Sequence, residues 1–138
     1  MTIDPQLLAA YLAAEYVVYS EPMIVLRIGE RSEALDALLE DAGADAAAFV
    51  TAANPGGRPA DPVDNALAAE ALLLSQEQAG YACVAGEGRD PLGDWPAEAS
   101  VLVLGIARSE AAILGRSYQQ NAIVYLERGR PPELVLLA

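Results

Sequence analysis

The chain has 138 residues, of which 54% are hydrophobic, and a formal net charge of -12 in which all eight basic residues are arginine. The strong negative charge argues against direct nucleic-acid binding, because phosphate neutralisation needs a basic face. The chain contains no histidine, which excludes Ser-His-Asp triads, Cys-His nucleophile pairs and histidine-ligated zinc.

The length fits one compact domain spanning residues 1–138, large enough to bury about two thirds of its unfolded surface. No apolar run reaches the ~18 residues that a membrane span needs, and the first residues lack the basic region of a signal peptide. We therefore expect a cytoplasmic protein without membrane contact. Cys83 is the single cysteine, so no internal disulfide can form, and its apolar neighbours predict a small core residue.

The first third of the chain predicts a helix, a hairpin and a second helix. The Asp-Pro pair at residues 4–5 is typical of a helix start. Residues 15–19 and 23–28 read as two strands, and their connection is too short for a crossover, which predicts an antiparallel hairpin. Ser32 can cap the next helix, which Gly43 ends.

The middle of the chain alternates strands, loops and one long helix. Residues 46–51 form a buried strand that leads into a loop rich in Gly, Pro and Asn. Asp61, followed by proline, begins a helix that we expect to run to about Ala79. Residues 81–85 are a strand candidate, and residues 86–96 are a second long loop with three glycines.

The last third predicts a central strand and a terminal pair. Residues 100–106 are apolar on both faces, which suits a central strand covered by helices on both sides. Ser109 can cap a short helix through Tyr118, and residues 121–127 and 134–137 look like paired strands. The sum is a mixed sheet of about six or seven strands with three or four helices. This is an α/β fold, with α+β as the alternative.

Three polar clusters lie at the ends of these elements. The first follows the 46–51 strand, where glycines permit close approach of a ligand and a helix start offers free N–H groups. Its candidate ligand-binding residues are Thr51, Asn54, Arg58 and Asn65. Because Asn54 precedes a proline, we expect it to be extended. The alternative is a loop whose polar side chains satisfy only their own backbone.

The second cluster comprises Gly86, Gly88, Arg89 and Trp95. It is neither a dinucleotide fingerprint, since Pro91 occupies the third glycine position, nor a Walker loop, since the chain has no lysine. Its carboxylates could hold a divalent cation, but a solvated acidic loop is favoured, and we expect no metal or cofactor. The Trp95 ring could anchor the loop in the core, which we favour, or stack on a planar ligand.

The third cluster is Gln120 and Asn121, whose amides could bridge two loops or contact a substrate. Alternatively, Asn121 simply ends a helix in the left-handed conformation. If the protein is an enzyme, Glu98 is the candidate catalytic base.

The three clusters together favour a small domain with a ligand pocket. Arg58 or Arg89 would attract an anionic or nucleotide-like small molecule. One alternative is a histidine-independent hydrolase or transferase that uses Glu or Asp. The other is an acidic interaction protein that captures a basic protein partner.

An ordered set of residues resembles a bacterial family of unknown function, numbered 3293. The set runs from Tyr11-Leu12 and Tyr16 through Thr51–Pro55, Asn65, Gly86-x-Gly88, Trp95, Glu98 and Gly105 to Gln120-Asn121-Ala122. The resemblance implies a small compact domain and supports grouping the three clusters into one site, but it brings no established activity. Ala53 departs from the pattern, which has a bulky and often aromatic residue there, and this implies a larger or softer site.

Overall fold

The computed structural model describes residues 3–137, which form four α-helices and one seven-stranded sheet. The helices are α1 (Pro5–Ala13), α2 (Glu33–Asp41), α3 (Pro62–Gln78) and α4 (Arg108–Ser117). The strands are β1 (Glu15–Val18), β2 (Ile24–Leu26), β3 (Ala46–Thr51), β4 (Ala82–Arg89), β5 (Glu98–Leu104), β6 (Ala122–Glu127) and β7 (Glu133–Leu136). One 3-10 turn covers Pro55–Gly57. The predicted α/β domain is confirmed.

The strand order is β2-β1-β4-β5-β3-β6-β7, and the six neighbouring pairs are all antiparallel. The sheet therefore differs from the mixed sheet that we expected. Three of the pairs, β1–β2, β4–β5 and β6–β7, join strands that follow each other through short connections, and such hairpins must be antiparallel. The predicted hairpins at the two ends of the chain are confirmed.

Strand β5 lies at the centre of the sheet, as its sequence predicts, with β4 on one side and β3 on the other. Its side chains alternate between two cores. Leu102 belongs to a cluster that includes Leu35 of α2, and Val103 belongs to a second cluster that includes Leu72 of α3. All four side chains are almost fully buried. Helices thus cover both faces of the central strand, which explains why its sequence is continuously apolar.

The helix starts follow the sequence signals in three cases out of four. The side chains of Asp4, Ser32 and Asp61 each accept a backbone N–H bond in the first turn of α1, α2 and α3. The prediction that Ser109 caps α4 is wrong. That helix begins at Arg108, after Ala107, which has no side chain that can cap. The chain turns directly out of β5 at Gly105 (φ 84°), so the helix starts earlier than the serine.

Strand β4 is longer than predicted and includes Gly86, Gly88 and Arg89, which we had placed in a loop. These residues pair with β1 on one side, and the two glycines also pair with β5 on the other. A side chain at Gly86 would lie 2.1 Å from the carbonyl oxygen of Val17, so glycine allows the two strands to approach closely here. The loop between β4 and β5 is therefore only residues 90–97.

Candidate functional site

A cavity of about 500 Å³ lies beside α1, where β3 leaves the sheet. Its lining comes from α1, from the strands, from the loop before α3 and the first turn of α3, and from the loop between β4 and β5. The predicted site residues that line it are Thr51, Asn54, Asn65, Gly88, Trp95, Glu98 and Gln120. The predicted site residues outside its lining are Arg58, Gly86, Arg89 and Asn121. The structure thus brings parts of all three polar clusters together.

Asn54 and Asn65 hold the loop before α3 through reciprocal hydrogen bonds. The backbone N–H of Asn54 donates to Asn65 Oδ1 at 2.9 Å, and Asn65 Nδ2 donates to Asn54 Oδ1 at 2.8 Å. The same Asn54 oxygen accepts a bond from the backbone N–H of Ala60 at 3.0 Å. Because Oδ1 receives two donors, the orientation of the Asn54 amide is fixed and its NH₂ group must point the other way.

The expectation that Asn54 is extended is wrong. Its backbone lies in the left-handed region, with φ 49° and ψ 61°. Asn is one of the few residues besides glycine that adopt this conformation, because its short polar side chain can bond locally. Here the bonds to Asn65 and Ala60 supply that compensation. The preference imposed by the following proline is overcome by the hydrogen bonds of the loop.

Glu98 receives the remaining end of the Asn54 amide. Asn54 Nδ2 donates to Glu98 Oε2 at 2.6 Å. Among residues 3–137, Asn54 is the one residue that donates a hydrogen bond to this carboxyl group. Burial in the largely apolar cavity raises the pKa of Glu98, and the bond from Asn54 only partly offsets this effect. Glu98 is itself part of the cavity lining.

Two tyrosines that sequence reasoning did not select as site residues also line the cavity. The Tyr16 hydroxyl donates to the carbonyl oxygen of Tyr11 at 2.6 Å, which ties β1 to the end of α1. The Tyr11 hydroxyl accepts a long bond from Asn121 Nδ2 at 3.5 Å, so Asn121 supports the lining from behind. Burial raises the pKa of both tyrosines, and the nearby Glu98 carboxylate adds to this. The signal available in the sequence was the place of both tyrosines in the ordered set of residues on which the family resemblance rests.

Aromatic rings form much of the apolar wall. Tyr16 and Phe49 pack edge to face with ring centroids 5.5 Å apart, and Trp95 lies on the same cavity while its ring packs against the neighbouring core. The anchoring and ligand-facing interpretations of Trp95 are therefore compatible, because one face of the loop can pack while the other lines the cavity.

The residues at the third cluster hold the loop that contains Asn54 through hydrogen bonds. Gln120 Nε2 donates to the carbonyl oxygen of Ala53 at 3.0 Å, and the N–H of Gly56 donates to the carbonyl oxygen of Gln119 at 2.7 Å. Gln119, with φ 55°, is the left-handed residue after α4, rather than Asn121 as the alternative interpretation held. The amide of Gln120 therefore bridges two loops.

Neither arginine of the expected anion site lines the cavity. Arg89 Nε lies 3.0 Å from Glu15 Oε1, and Arg27 pairs with the same carboxylate. Arg58 is exposed on the loop. Within residues 3–137 the cavity lining contains no arginine, so its charged group is the carboxyl of Glu98.

The acidic loop shows no metal-binding arrangement. Asp90 accepts bonds from the backbone N–H groups of Leu92 and Asp94, and Glu87 bonds to the Tyr19 hydroxyl. In the part of the chain that the structure describes, no three His, Cys, Asp or Glu side chains are grouped to hold a metal ion. Nor is any described helix long and apolar enough to cross a membrane. Cys83 is half-buried against the second core, and burial raises the pKa of its thiol.

Comparison with known proteins identifies the family. Residues 50–123 match the model of a family described as a protein of unknown function (DUF3293). The chain belongs to this family. The matched segment contains all of the predicted site residues and the Asn54–Glu98 contact, whereas Tyr11 and Tyr16 lie outside it.

No curated protein matches the chain at a significant level. Among solved structures, a phage SAM lyase in complex with S-methyl-5'-thioadenosine matches with 16% sequence identity and a TM-score of 0.35. The match covers 67% of this chain and 88% of the lyase. A likeness of this degree assigns neither a ligand nor an activity to the present chain.

Proposed function

We propose that the protein binds a small organic molecule in the cavity beside α1, with Glu98 accepting a hydrogen bond from an N–H group of the ligand. The observation that carries the proposal is the Glu98 carboxyl, held through one oxygen by Asn54 and lying on a largely apolar, aromatic wall. A cavity of about 500 Å³ with a few convergent polar groups is typical of small-molecule sites.

The charge of the lining favours a neutral or cationic ligand over the anion expected from the sequence. Glu98 repels an anion, and within residues 3–137 no arginine lines the cavity to offset that repulsion. Arg89, one of the two arginines that the sequence suggested for anion binding, is paired with Glu15. The rings of Tyr16, Phe49 and Trp95 offer flat apolar contact, which suits a planar group of nucleoside size carrying N–H donors.

Adenosine and adenosine monophosphate are a matched pair of probes for this proposal, because they differ only in the charged phosphate. Isothermal titration of each into the protein, with guanosine, cytidine and spermidine as further neutral and cationic probes, measures the preference. We expect at least one neutral or cationic probe to bind, and adenosine to bind more tightly than its monophosphate. Tighter binding of the monophosphate, or binding by none of the probes, would contradict the proposal.

Two variants connect binding to the cavity. Ala53→Phe places a ring in the cavity lining, and it should abolish binding. Glu98→Gln keeps the shape and the contact with Asn54 but removes the charge, so it should weaken a cationic probe by more than tenfold. Ile113→Gln on the exposed side of α4 is the control. Unchanged affinity in Glu98→Gln would contradict the assigned role of that residue even if Ala53→Phe failed to fold.

An enzymatic role is a second candidate because burial in a largely apolar cavity raises the pKa of Glu98. A carboxyl group whose pKa moves towards neutrality can take up and release protons during a reaction. Mass spectrometry of any bound probe after long incubation would detect a product, and Glu98→Gln should then remove product formation even at probe concentrations that saturate the variant. A probe that is bound but recovered intact supports binding without catalysis.

A further inference from the structure

Helix α3 is apolar on two opposite faces. Leu72 is fully buried in the second core, whereas Val63, Leu67 and Leu74 are 66%, 59% and 56% exposed. At about 100° per residue these three exposed side chains fall within roughly 40° of one another, so they form one line along the helix. We call Val63, Leu67 and Leu74 the α3 stripe. Exposed apolar side chains that lie together in this way mark an interaction surface.

The surroundings of the α3 stripe are acidic. Asp64, Glu70 and Glu77 lie on the exposed side of the same helix. The sequence has no basic residue between Arg58 and Arg89. A groove of about 380 Å³ runs beside the helix between Leu73 and the β4 strand, and its walls include the carboxylates of Glu70 and Glu87. The stripe is thus bordered by negative charge without a nearby lysine or arginine of its own helix.

We propose that the α3 stripe is a docking surface for a basic amphipathic helix of a partner protein. Apolar anchors at helical spacing would lie on Val63, Leu67 and Leu74, and lysines or arginines beside them would pair with the carboxylates on either side. A second copy of this chain fits poorly, because it would set the same acidic helix against itself and double a net charge of -12. An anionic membrane surface is repelled for the same reason.

Synthetic peptides of one helical design measure this preference directly. Three fluorescent 18-residue peptides share one leucine face and differ only on the other face, which carries Lys, Gln or Glu. Fluorescence anisotropy at moderate salt should show that the Lys peptide binds at least tenfold more tightly than the Gln peptide, with no binding of the Glu peptide. Equal binding of the Lys and Gln peptides would remove the charge complementarity on which the proposal rests.

Charge-neutral variants then test the stripe itself. Val63→Gln, Leu67→Gln and Leu74→Gln combined should weaken the Lys peptide at least tenfold without altering net charge. The control combines Leu92→Gln and Ile113→Gln, which are also strongly exposed but lie elsewhere. Equal affinity of both variants would show that the peptide binds the acidic surface without using the stripe, and this outcome overturns the proposal.

The alternative occupants of the α3 stripe, a second copy of this chain and an anionic membrane, would give different experimental results. Sedimentation of the free protein should show a monomer, and a dimer that the stripe variant dissociates would identify a second copy as the occupant. Binding to vesicles of anionic lipid that the stripe variant abolishes would identify a membrane. Both results contradict a basic helix as the occupant. None of these outcomes depends on the cavity beside α1.

Discussion

Asn54 and Asn65 each bond to the other, so that the side chain of Asn65 both accepts from the Asn54 backbone at 2.9 Å and donates to the Asn54 side chain at 2.8 Å. This reciprocal pair fastens a loop in left-handed conformation to the first turns of α3. It also orients the Asn54 NH₂ group towards Glu98. The orientation of the Glu98 carboxyl group, which lies on β5, therefore depends through Asn54 on Asn65 of α3.

Removal of either amide should destabilise the protein and reveal the coupling between them. We expect Asn54→Ala and Asn65→Ala each to lower the free energy of unfolding by about 1–3 kcal/mol, since each leaves half-buried polar groups without partners. The double variant should cost clearly less than the sum, as expected for residues in one hydrogen-bond network. Urea unfolding measures all three. Asn121→Ala, which loses one long bond, is the control, and strict additivity would contradict the reciprocal pair.

The raised pKa of Glu98 should make stability depend on pH with a defined sign. The folded protein holds this proton more tightly than the unfolded chain, whose value is near 4.5, so unfolding releases a proton between that value and the raised pKa. The stability that Glu98 contributes in this way is fully present below about pH 4.5, and it is lost as the pH rises through the pKa of Glu98 in the folded protein.

Glu98→Gln cannot ionise, so its advantage over the wild type should grow as the pH rises through this window. Urea unfolding between about pH 4 and about pH 8 measures the difference. Glu110→Gln, an exposed position on α4, corrects for removing one charge from an acidic protein. A difference that is constant with pH, or that shrinks as the pH rises, would contradict the burial of this carboxyl.

Two glycines of β4 should respond differently to the same change. A Cβ atom at Gly86 would lie 2.1 Å from the carbonyl oxygen of Val17, whereas at Gly88 the nearest atoms are 3.9 Å away on the Tyr16 ring. Gly86→Ala should therefore cost about 1–3 kcal/mol or more through forced movement of the strand. Gly88→Ala should be close to neutral in stability, and thermal unfolding compares the two. Equal effects would show that the β1–β4 spacing is not what requires glycine.

Neighbouring leucines of α3 provide a stability test of its two faces. Leu72→Ala removes a fully buried side chain and should cost about 2–5 kcal/mol. Leu74→Ala changes a side chain that is 56% exposed and should alter stability by less than about 0.5 kcal/mol. Chemical unfolding of the isolated protein gives both values. A large loss in Leu74→Ala would mean that the α3 stripe already packs within the folded chain.

The sequence was most informative where one local signal decides the structure. The Asp61-Pro62 pair correctly predicted the start of α3. The continuous apolar run of residues 100–106 correctly predicted a strand at the centre of the sheet. Such signals act over a few residues, because a cap or a two-sided apolar strand has few alternatives.

The errors arose where distant parts of the chain decide the local conformation. Asn54 adopts a left-handed backbone because Asn65, eleven residues away, bonds to it. Gly86 lies in a strand because β1 pairs with it, and Arg89 lies outside the cavity because Glu15 binds it. Loop composition alone predicted that both glycines of β4 lie in a loop and that Arg89 can attract an anionic ligand. Tertiary partners of this kind leave no local pattern in the sequence.

The cavity is assembled from both ends of the chain, with Leu7 near one end and Leu134 near the other, whereas the family match spans residues 50–123. A fragment limited to that matched segment would lack α1, β1 and β7 and could not enclose a ligand. Ligand binding in this cavity, as proposed, would therefore require the complete fold, and a bound ligand would stabilise the folded state against unfolding. A ligand at a hundred times its Kd would add about 2.7 kcal/mol to the stability of the whole protein.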